Sequence, residues 1–253
     1  MELTLTTFII VCPLVFLAGL VDAIGGGGGL ISLPAYLIAG LPVHNAVATN
    51  KLSSACGTAL ATGRFIKNGL VSFKLAIPSI IAAMIGSYLG SKFSLMVSEH
   101  LMEIVLLVVL PITAFIVLNK KLFSDKNTTE LILNKRTYIT ATVAALIVGF
   151  YDGFYGPGTG TFLIIAFTVF AKLDMKYANG QSKVINLTTN ITSLCVFILN
   201  GKVLFVLGIA AAVCNMVGGY IGAGLVMSKG GKIVRPSILL VLVLLAFKVV
   251  GLY

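Results

Sequence analysis

Two lysines occur within apolar stretches of the sequence, where a charged side chain is costly and usually functional. Lys51 lies in the segment Thr-Asn-Lys-Leu-Ser-Ser, and Lys183 lies in Gln-Ser-Lys-Val-Ile-Asn. An ammonium group supplies positive charge, and the neighbouring hydroxyls and amides supply hydrogen-bond donors, so each segment suits a small oxyanion. A lysine that reaches the membrane interface or pairs with an aspartate is the alternative. We assign substrate binding to both lysines and to the adjacent Asn50, Ser54, Ser182 and Asn186.

Two glycine-rich segments are predicted to interrupt helices. They are the run Gly25–Gly29 and the segment Gly-Pro-Gly-Thr-Gly at 156–160. Non-helical backbone survives in a membrane only where protein or water satisfies it, and free amides at the following helix N-termini attract an anion. Close packing of helices through small residues is the alternative. We add to the predicted substrate site Gly26, Gly27, Gly28, Gly156, Gly158 and Thr159.

Asp22 and Asp152 are the acidic residues beside these breaks. A half-buried aspartate near a lysine titrates with the occupancy of the site, so both are candidates for proton coupling, while capping of loop amides is the alternative role. We expect no metal, since His44 and His100 have no partner ligands, and we expect no cofactor. Cys56 lies five residues after Lys51, which leaves its participation open.

The elements that position these residues are duplicated along the chain. Gly19, Asp22 and Gly26 recur 130 positions later, and Lys51 and Gly86 recur 132 positions later, so one insertion of two residues aligns the copies. Interrupted helices at matching places in two halves of a membrane protein are typical of transporters that bind a substrate between the repeats.

Composition places the chain in a bilayer. Apolar residues make up 58% of the chain and charged residues 10%, with a mean hydropathy of +1.07, and several runs reach the roughly 20 residues that span a bilayer. We predict an all-α polytopic membrane protein. The predicted helical segments are 5–24, 30–41, 46–63, 70–91 and 100–118 in the first copy and 137–152, 160–171, 178–199, 203–227 and 236–252 in the second.

The basic residues predict that the copies are inverted. If the second and third segments of each copy form a re-entrant hairpin, each copy crosses three times, and eleven basic residues lie in cytoplasmic loops against three outside. Four crossings per copy would give ten against six. The net charge of +10 therefore reports orientation rather than a nucleic-acid partner.

The motifs resemble the TauE/SafE sulfite-exporter family, also called the TSUP family, over essentially the whole chain. They include Gly-x-x-Asp-x-Ile-Gly-Gly from Gly19, Ala-Thr-Asn-Lys-Leu from Ala48, Gly-Phe-Tyr-Asp-Gly-Phe-Tyr-Gly-Pro from Gly149 and Ser-Lys-Gly-Gly-Lys from Ser228. The resemblance implies a bacterial cytoplasmic-membrane permease for sulfite, organosulfonates or related small anions, commonly an exporter.

We therefore predict two inverted repeats, each with three full spans plus a broken or re-entrant helical hairpin. Residues 1–122 form the first repeat, 123–136 a cytoplasmic linker and 137–253 the second repeat, with both termini periplasmic. The predicted function is export of sulfite or organosulfonates through a site near the midplane. An uncoupled anion channel and an intramembrane enzyme are the alternatives. The expected partners are a small anion and the lipid bilayer, with no nucleic acid, and a homo-oligomer remains open.

Overall fold

The structure is a computed structural model, and it describes residues 3–102, 104, 105, 108 and 134–229. Within these ranges the regular elements are helices. They are α1 (Leu5–Gly25), α2 (Gly29–Ile38), α3 (Val43–Lys67), α4 (Phe73–Met96), α5 (Lys135–Phe154), α6 (Thr159–Ile165), which continues into a π-helical turn (Ala166–Phe170), α7 (Met175–Leu199) and α8 (Phe205–Lys229). The predicted spans 100–118 and 236–252 and the linker 123–136 lie wholly or largely outside the described residues.

Apolar side chains face outward and polar side chains face inward, which is the distribution expected in lipid. Ile77 and Ile81 on α4 are 59% and 57% exposed, whereas Ser87 and Ser193 in the interior are fully buried. Five described helices, namely α1, α4, α5, α7 and α8, are long and apolar enough to cross a membrane. The chain is an all-α polytopic membrane protein.

The third helix is longer than the sequence predicted. Residues 46–63 were expected to form a short hairpin arm, but α3 runs from Val43 to Lys67 and has 25 residues, which is about 37 Å at 1.5 Å per residue. Its low hydropathy comes from polar side chains such as Thr49, Ser53 and Thr58, and these are buried inside the protein. The third helix of each copy is therefore as long as a full span.

Helices of one copy pack mainly against helices of the other. The first helix of each copy packs against the fourth of the other copy, as α1 with α8 and α5 with α4. Likewise the third helix packs against the other copy's fourth, as α3 with α8 and α7 with α4, while α3 and α7 contact each other. The two copies therefore pack like the subunits of a symmetric dimer, in which each surface of one subunit meets the equivalent surfaces of the other in the reverse order.

Equivalent glycines make equivalent contacts in the two copies. A Cβ on Gly86 of α4 would lie 2.2 Å from the Leu146 carbonyl oxygen, and a Cβ on the equivalent Gly218 of α8 would lie 2.1 Å from the oxygen of Phe16. Glycine at these positions allows the backbones to approach closely, as small residues do in membrane bundles. The same close interface is therefore built twice.

The helix directions follow from contacts along their length. The start of α3 meets the start of α8, where the Leu204 amide donates to Thr49 Oγ1 at 3.1 Å, and its end meets the later part of α8, where Arg64 donates to the Tyr220 carbonyl at 2.6 Å. These two helices run parallel. The α1–α8 pair is also parallel, because Gly218 lies beside Phe16 and Gly222 lies one turn further on beside Leu20.

Candidate functional site

The two glycine breaks touch each other at the centre of the protein. Helix α1 ends where Gly26 adopts a left-handed conformation with φ of 79°, and its amide donates to the Asp22 carbonyl at 2.8 Å. In the second copy, Gly156 and Gly158 have φ of 101° and 84°. A Cβ on Gly26 would lie 2.2 Å from the Gly160 carbonyl carbon, so only glycine fits between the breaks.

The predicted lysines and aspartates form two ion pairs, and each pair joins the two copies. Lys51 Nζ lies 2.7 Å from Asp152 Oδ2, and Lys183 Nζ lies 2.7 Å from Asp22 Oδ2. Three of the four side chains are exposed by 3% or less, and that of Asp22 is exposed by 16%. Two opposite charges in each pair leave this part of the interior with no net charge, which limits the cost of burying them.

The two pairs differ in how firmly the lysine is held. Lys183 donates both to the Asp22 carboxylate and to the Asp22 backbone carbonyl. Lys51 contacts Asp152 at one atom only, Oδ2, and the other carboxylate oxygen accepts a 2.6 Å hydrogen bond from Thr159 Oγ1. Lys51 is therefore the less constrained ammonium group.

Polar side chains of the second copy donate to backbone carbonyls at the end of α1. Asn179 Nδ2 donates to the carbonyls of Ala23 and Ile24, and Thr161 Oγ1 donates to the Gly25 carbonyl at 2.7 Å. The positions equivalent to Asn179 and Thr161 in the first copy are the apolar Val47 and Ile31. The first break is thus anchored by the second copy, without the reciprocal polar contacts.

A small polar cavity lies between the breaks and the helices that carry the lysines. Its volume is about 20 Å³, which is room for about one water molecule. The cavity is lined by Asp22, Gly26, Gly28, Gly29, Asn50, Lys51, Ser54, Thr58, Asp152, Gly156, Thr159, Gly160, Asn186, Asn190 and Asn215.

Most of the predicted site residues meet at this cavity. Ten line it, namely Asp22, Gly26, Gly28, Asn50, Lys51, Ser54, Asp152, Gly156, Thr159 and Asn186. The other four lie nearby without lining it: Gly27 and Gly158 form part of the breaks, Lys183 is paired with Asp22, and Ser182 Oγ donates to the Asn179 carbonyl at 2.7 Å. Cys56 is half-buried on α3 and is not a lining residue.

Asn215 is a lining residue that the sequence analysis missed. It lies on α8, in the middle of an apolar run, and is only 4% exposed. Its equivalent in the first copy is Ala83, so the duplication gives no signal at this position. The available signal was that Asn215 is the one carboxamide in the sequence of α8.

The motifs around this cavity are shared with a known family. The family description Sulfite exporter TauE/SafE matches residues 11–249. The chain belongs to the TauE/SafE family. Among curated relatives, the chain is similar to the probable membrane transporter protein YfcA of Escherichia coli strain K12, with 36% identity over 92% of this chain and 85% of the relative. It is also similar to the probable membrane transporter protein ORF9 of Sinorhizobium sp, with 31% identity over 93% of this chain and 89% of the relative.

A third curated relative is also similar to the chain. The probable membrane transporter protein of Haemophilus influenzae strain Rd is 30% identical over 93% of this chain and 91% of the relative. No solved structure matches the chain. As a member of the TauE/SafE family, the protein is a multi-pass membrane transporter rather than an enzyme.

Proposed function

We propose that the protein is a bacterial cytoplasmic-membrane permease that exports small oxyanions, with sulfite and organosulfonates as the expected substrates. The observation that carries the proposal is the polar cavity between the two copies, where the ammonium of Lys51 faces amide and hydroxyl groups. The family description Sulfite exporter supports the choice of anion. Charge together with several hydrogen-bond donors is the chemistry that binds an oxyanion in a site shielded from water.

We further propose that the copies are inverted and that the site opens to each side in turn. The reciprocal packing supports this arrangement, as does the direction of equivalent helices. Helices α1 and α3 are both parallel to α8 and therefore to each other. The counterpart of α3 in the second copy, α7, is antiparallel to α1: Asn179 contacts Ala23 and Ile24, and Lys183, one turn later on α7, contacts the earlier residue Asp22. In this arrangement 1–122 and 137–253 are the repeats, and the cytoplasmic linker lies between them.

The volume of the cavity favours a carrier over an open channel. A space of about 20 Å³ holds about one water molecule, and sulfite has four heavy atoms. An anion therefore needs the elements around the cavity to move apart, and movement of one repeat against the other is the step on which alternating access depends. A conductive pore would instead need a continuous aqueous path.

The neutral charge balance of the site suggests how an anion is accepted. Two lysines already neutralise two aspartates, so an anion that binds Lys51 competes with the Asp152 carboxylate for its positive charge. A displaced buried carboxylate is costly unless it takes up a proton. We propose that Asp152, with Asp22 as the second candidate, couples anion movement to a proton.

Flux in proteoliposomes tests the function. Lys51→Ala and Lys183→Ala are each expected to abolish uptake of radiolabelled sulfite or sulfoacetate, while Lys92→Ala, an exposed lysine on α4, should transport like the wild type. Undiminished transport in both site variants would contradict the proposal. Saturable flux with counterflow supports a carrier, and flux without either supports a channel. A dependence on the pH gradient that disappears in Asp152→Asn identifies the coupling residue.

A further inference from the structure

Asn215 presents an unpaired carboxamide to the cavity. The residue is 4% exposed and lines the cavity, and no hydrogen bond joins its carboxamide to the part of the chain that the structure describes. An amide buried in a membrane protein needs a hydrogen-bond partner, because leaving it without one costs free energy. A ligand or a water molecule in the cavity is in position to be that partner.

The surroundings of Asn215 are shaped for this side chain. A Cβ added to Gly57 of α3 would lie 1.8 Å from Asn215 Oδ1, and a Cβ added to Gly19 of α1 would lie 2.9 Å from the same atom. Both α3 and α1 therefore have a glycine beside the Asn215 carboxamide, where a larger side chain would collide with it. At the equivalent place in the other half, Ala83 faces Gly149 and has no polar group.

Two other carboxamides at the cavity have free donor groups. Asn50 Oδ1 accepts from Ser54 at 3.4 Å, and Asn186 Oδ1 accepts from Asn190 at 3.3 Å, which leaves the NH₂ group of each without a partner among the described residues. These donors belong to α3 and α7, and Asn215 adds one from α8. Together with Lys51 they surround the cavity from three helices.

The two lysines do not contribute equally to this donor set. Lys51 lines the cavity, whereas Lys183 is fully buried, donates to two oxygens of Asp22 and is not a lining residue. Of the two ammonium groups, that of Lys51 is therefore the one that a ligand in the cavity can reach. The two copies have similar backbones, but only one of the two lysines lines the cavity.

We propose that the anion binds asymmetrically, with Lys51 as its charge partner, and that Asn215 selects ligands with a three-oxygen head group, such as sulfite or a sulfonate. Three carboxamides offer one donor group to each oxygen, a match that a spherical halide does not provide. This inference rests on the proposed anion transport. Lys183, which donates to Asp22 across the two copies, is not a second anion site.

Binding to the purified full-length protein tests the inference, with sulfite, methanesulfonate and chloride as probes in titration calorimetry. Loss of one hydrogen bond to a charged group corresponds to about tenfold or more in affinity. Asn215→Ala should therefore weaken sulfite and methanesulfonate by at least about tenfold and change chloride by less than about threefold. The matched control is Asn200→Ala, whose side chain donates to the Val196 carbonyl at the end of α7, away from the cavity.

Asn215→Leu keeps about the size of the side chain and removes its donors without adding a charge, so it covers the case in which the alanine variant fails to fold. Sulfite affinity equal to that of the wild type in either folded variant overturns the inference. If Lys51→Ala abolishes binding while the Asn215 variants bind normally, only the role of Asn215 is overturned. If the wild type binds none of the three anions, the proposed function is overturned together with the inference.

Discussion

The Lys51–Asp152 ion pair gives a quantitative prediction about stability. Both side chains are almost fully buried, with exposures of 2% and 3%. Breaking a buried pair by removing one partner typically costs about 3–5 kcal/mol, because the remaining charge is left without compensation. We therefore expect Lys51→Met to lower the free energy of unfolding by about that amount, and Asp152→Leu to do the same.

The double variant Lys51→Met/Asp152→Leu separates the charge effect from lost packing. Replacing both partners of a buried pair with apolar side chains is often neutral or stabilising, so the double variant should be more stable than either single variant. The assay is unfolding by SDS titration from mild detergent micelles, followed by circular dichroism because the chain has no tryptophan. Lys92→Met, at an exposed lysine of α4, should change stability by less than about 0.5 kcal/mol.

Two results would refute this reasoning. A single variant within about 1 kcal/mol of the wild type would mean that the pair carries little energy or that water reaches it. A double variant as unstable as the sum of the singles would mean that the two charges do not interact, because independent sites add. Either outcome would also weaken the argument that an anion competes with Asp152 for Lys51.

Three further predictions concern the breaks and the topology. Gly26→Ala should prevent folding to the native state, since its Cβ would lie 2.2 Å from the Gly160 backbone. The control is Gly69→Ala, at φ of 69° with no atom within 4 Å, which should lower the free energy of unfolding by only about 1–2 kcal/mol. Thermal melts in detergent compare the two variants. Cysteines placed at Gly69 and Gly201, which occupy equivalent loops, should react with an impermeant maleimide from opposite sides of the membrane in a cysteine-free background, and labelling from the same side would exclude inversion. Asn179→Leu should lower the free energy of unfolding, measured by SDS titration, by about 1–3 kcal/mol, because it leaves two carbonyls at the end of α1 without a donor. An unchanged free energy of unfolding would mean that water replaces the amide.

The sequence predicted the parts of the site that the duplication marks. Lys51 and Lys183, the two aspartates and both glycine breaks recur at matching positions, and ten of the predicted residues line one cavity. The membrane class followed from composition alone. The sequence did not show which aspartate pairs with which of the two site lysines. Each copy contributes one of these lysines and one aspartate beside its glycine break, and pairing within a copy or between copies satisfies the same charges.

Other features were missed because they break the pattern. Asn215 has an alanine as its equivalent, so a comparison of the two copies does not single it out. The full length of α3 was missed because buried polar residues such as Ser53 and Thr58 lower its hydropathy. In a helix surrounded by protein, polarity reflects the lining of the interior rather than the end of a span.

The crossed ion pairs have a consequence for how the protein is made. Lys51 leaves the ribosome and enters the bilayer with the first half of the chain, while its counter-ion Asp152 belongs to the second half and has not yet been synthesised. Asp22, also in the first half, waits in the same way for Lys183. The native charge pairing is therefore complete only when both halves are in the bilayer, so each half depends on the other for its buried counter-ions.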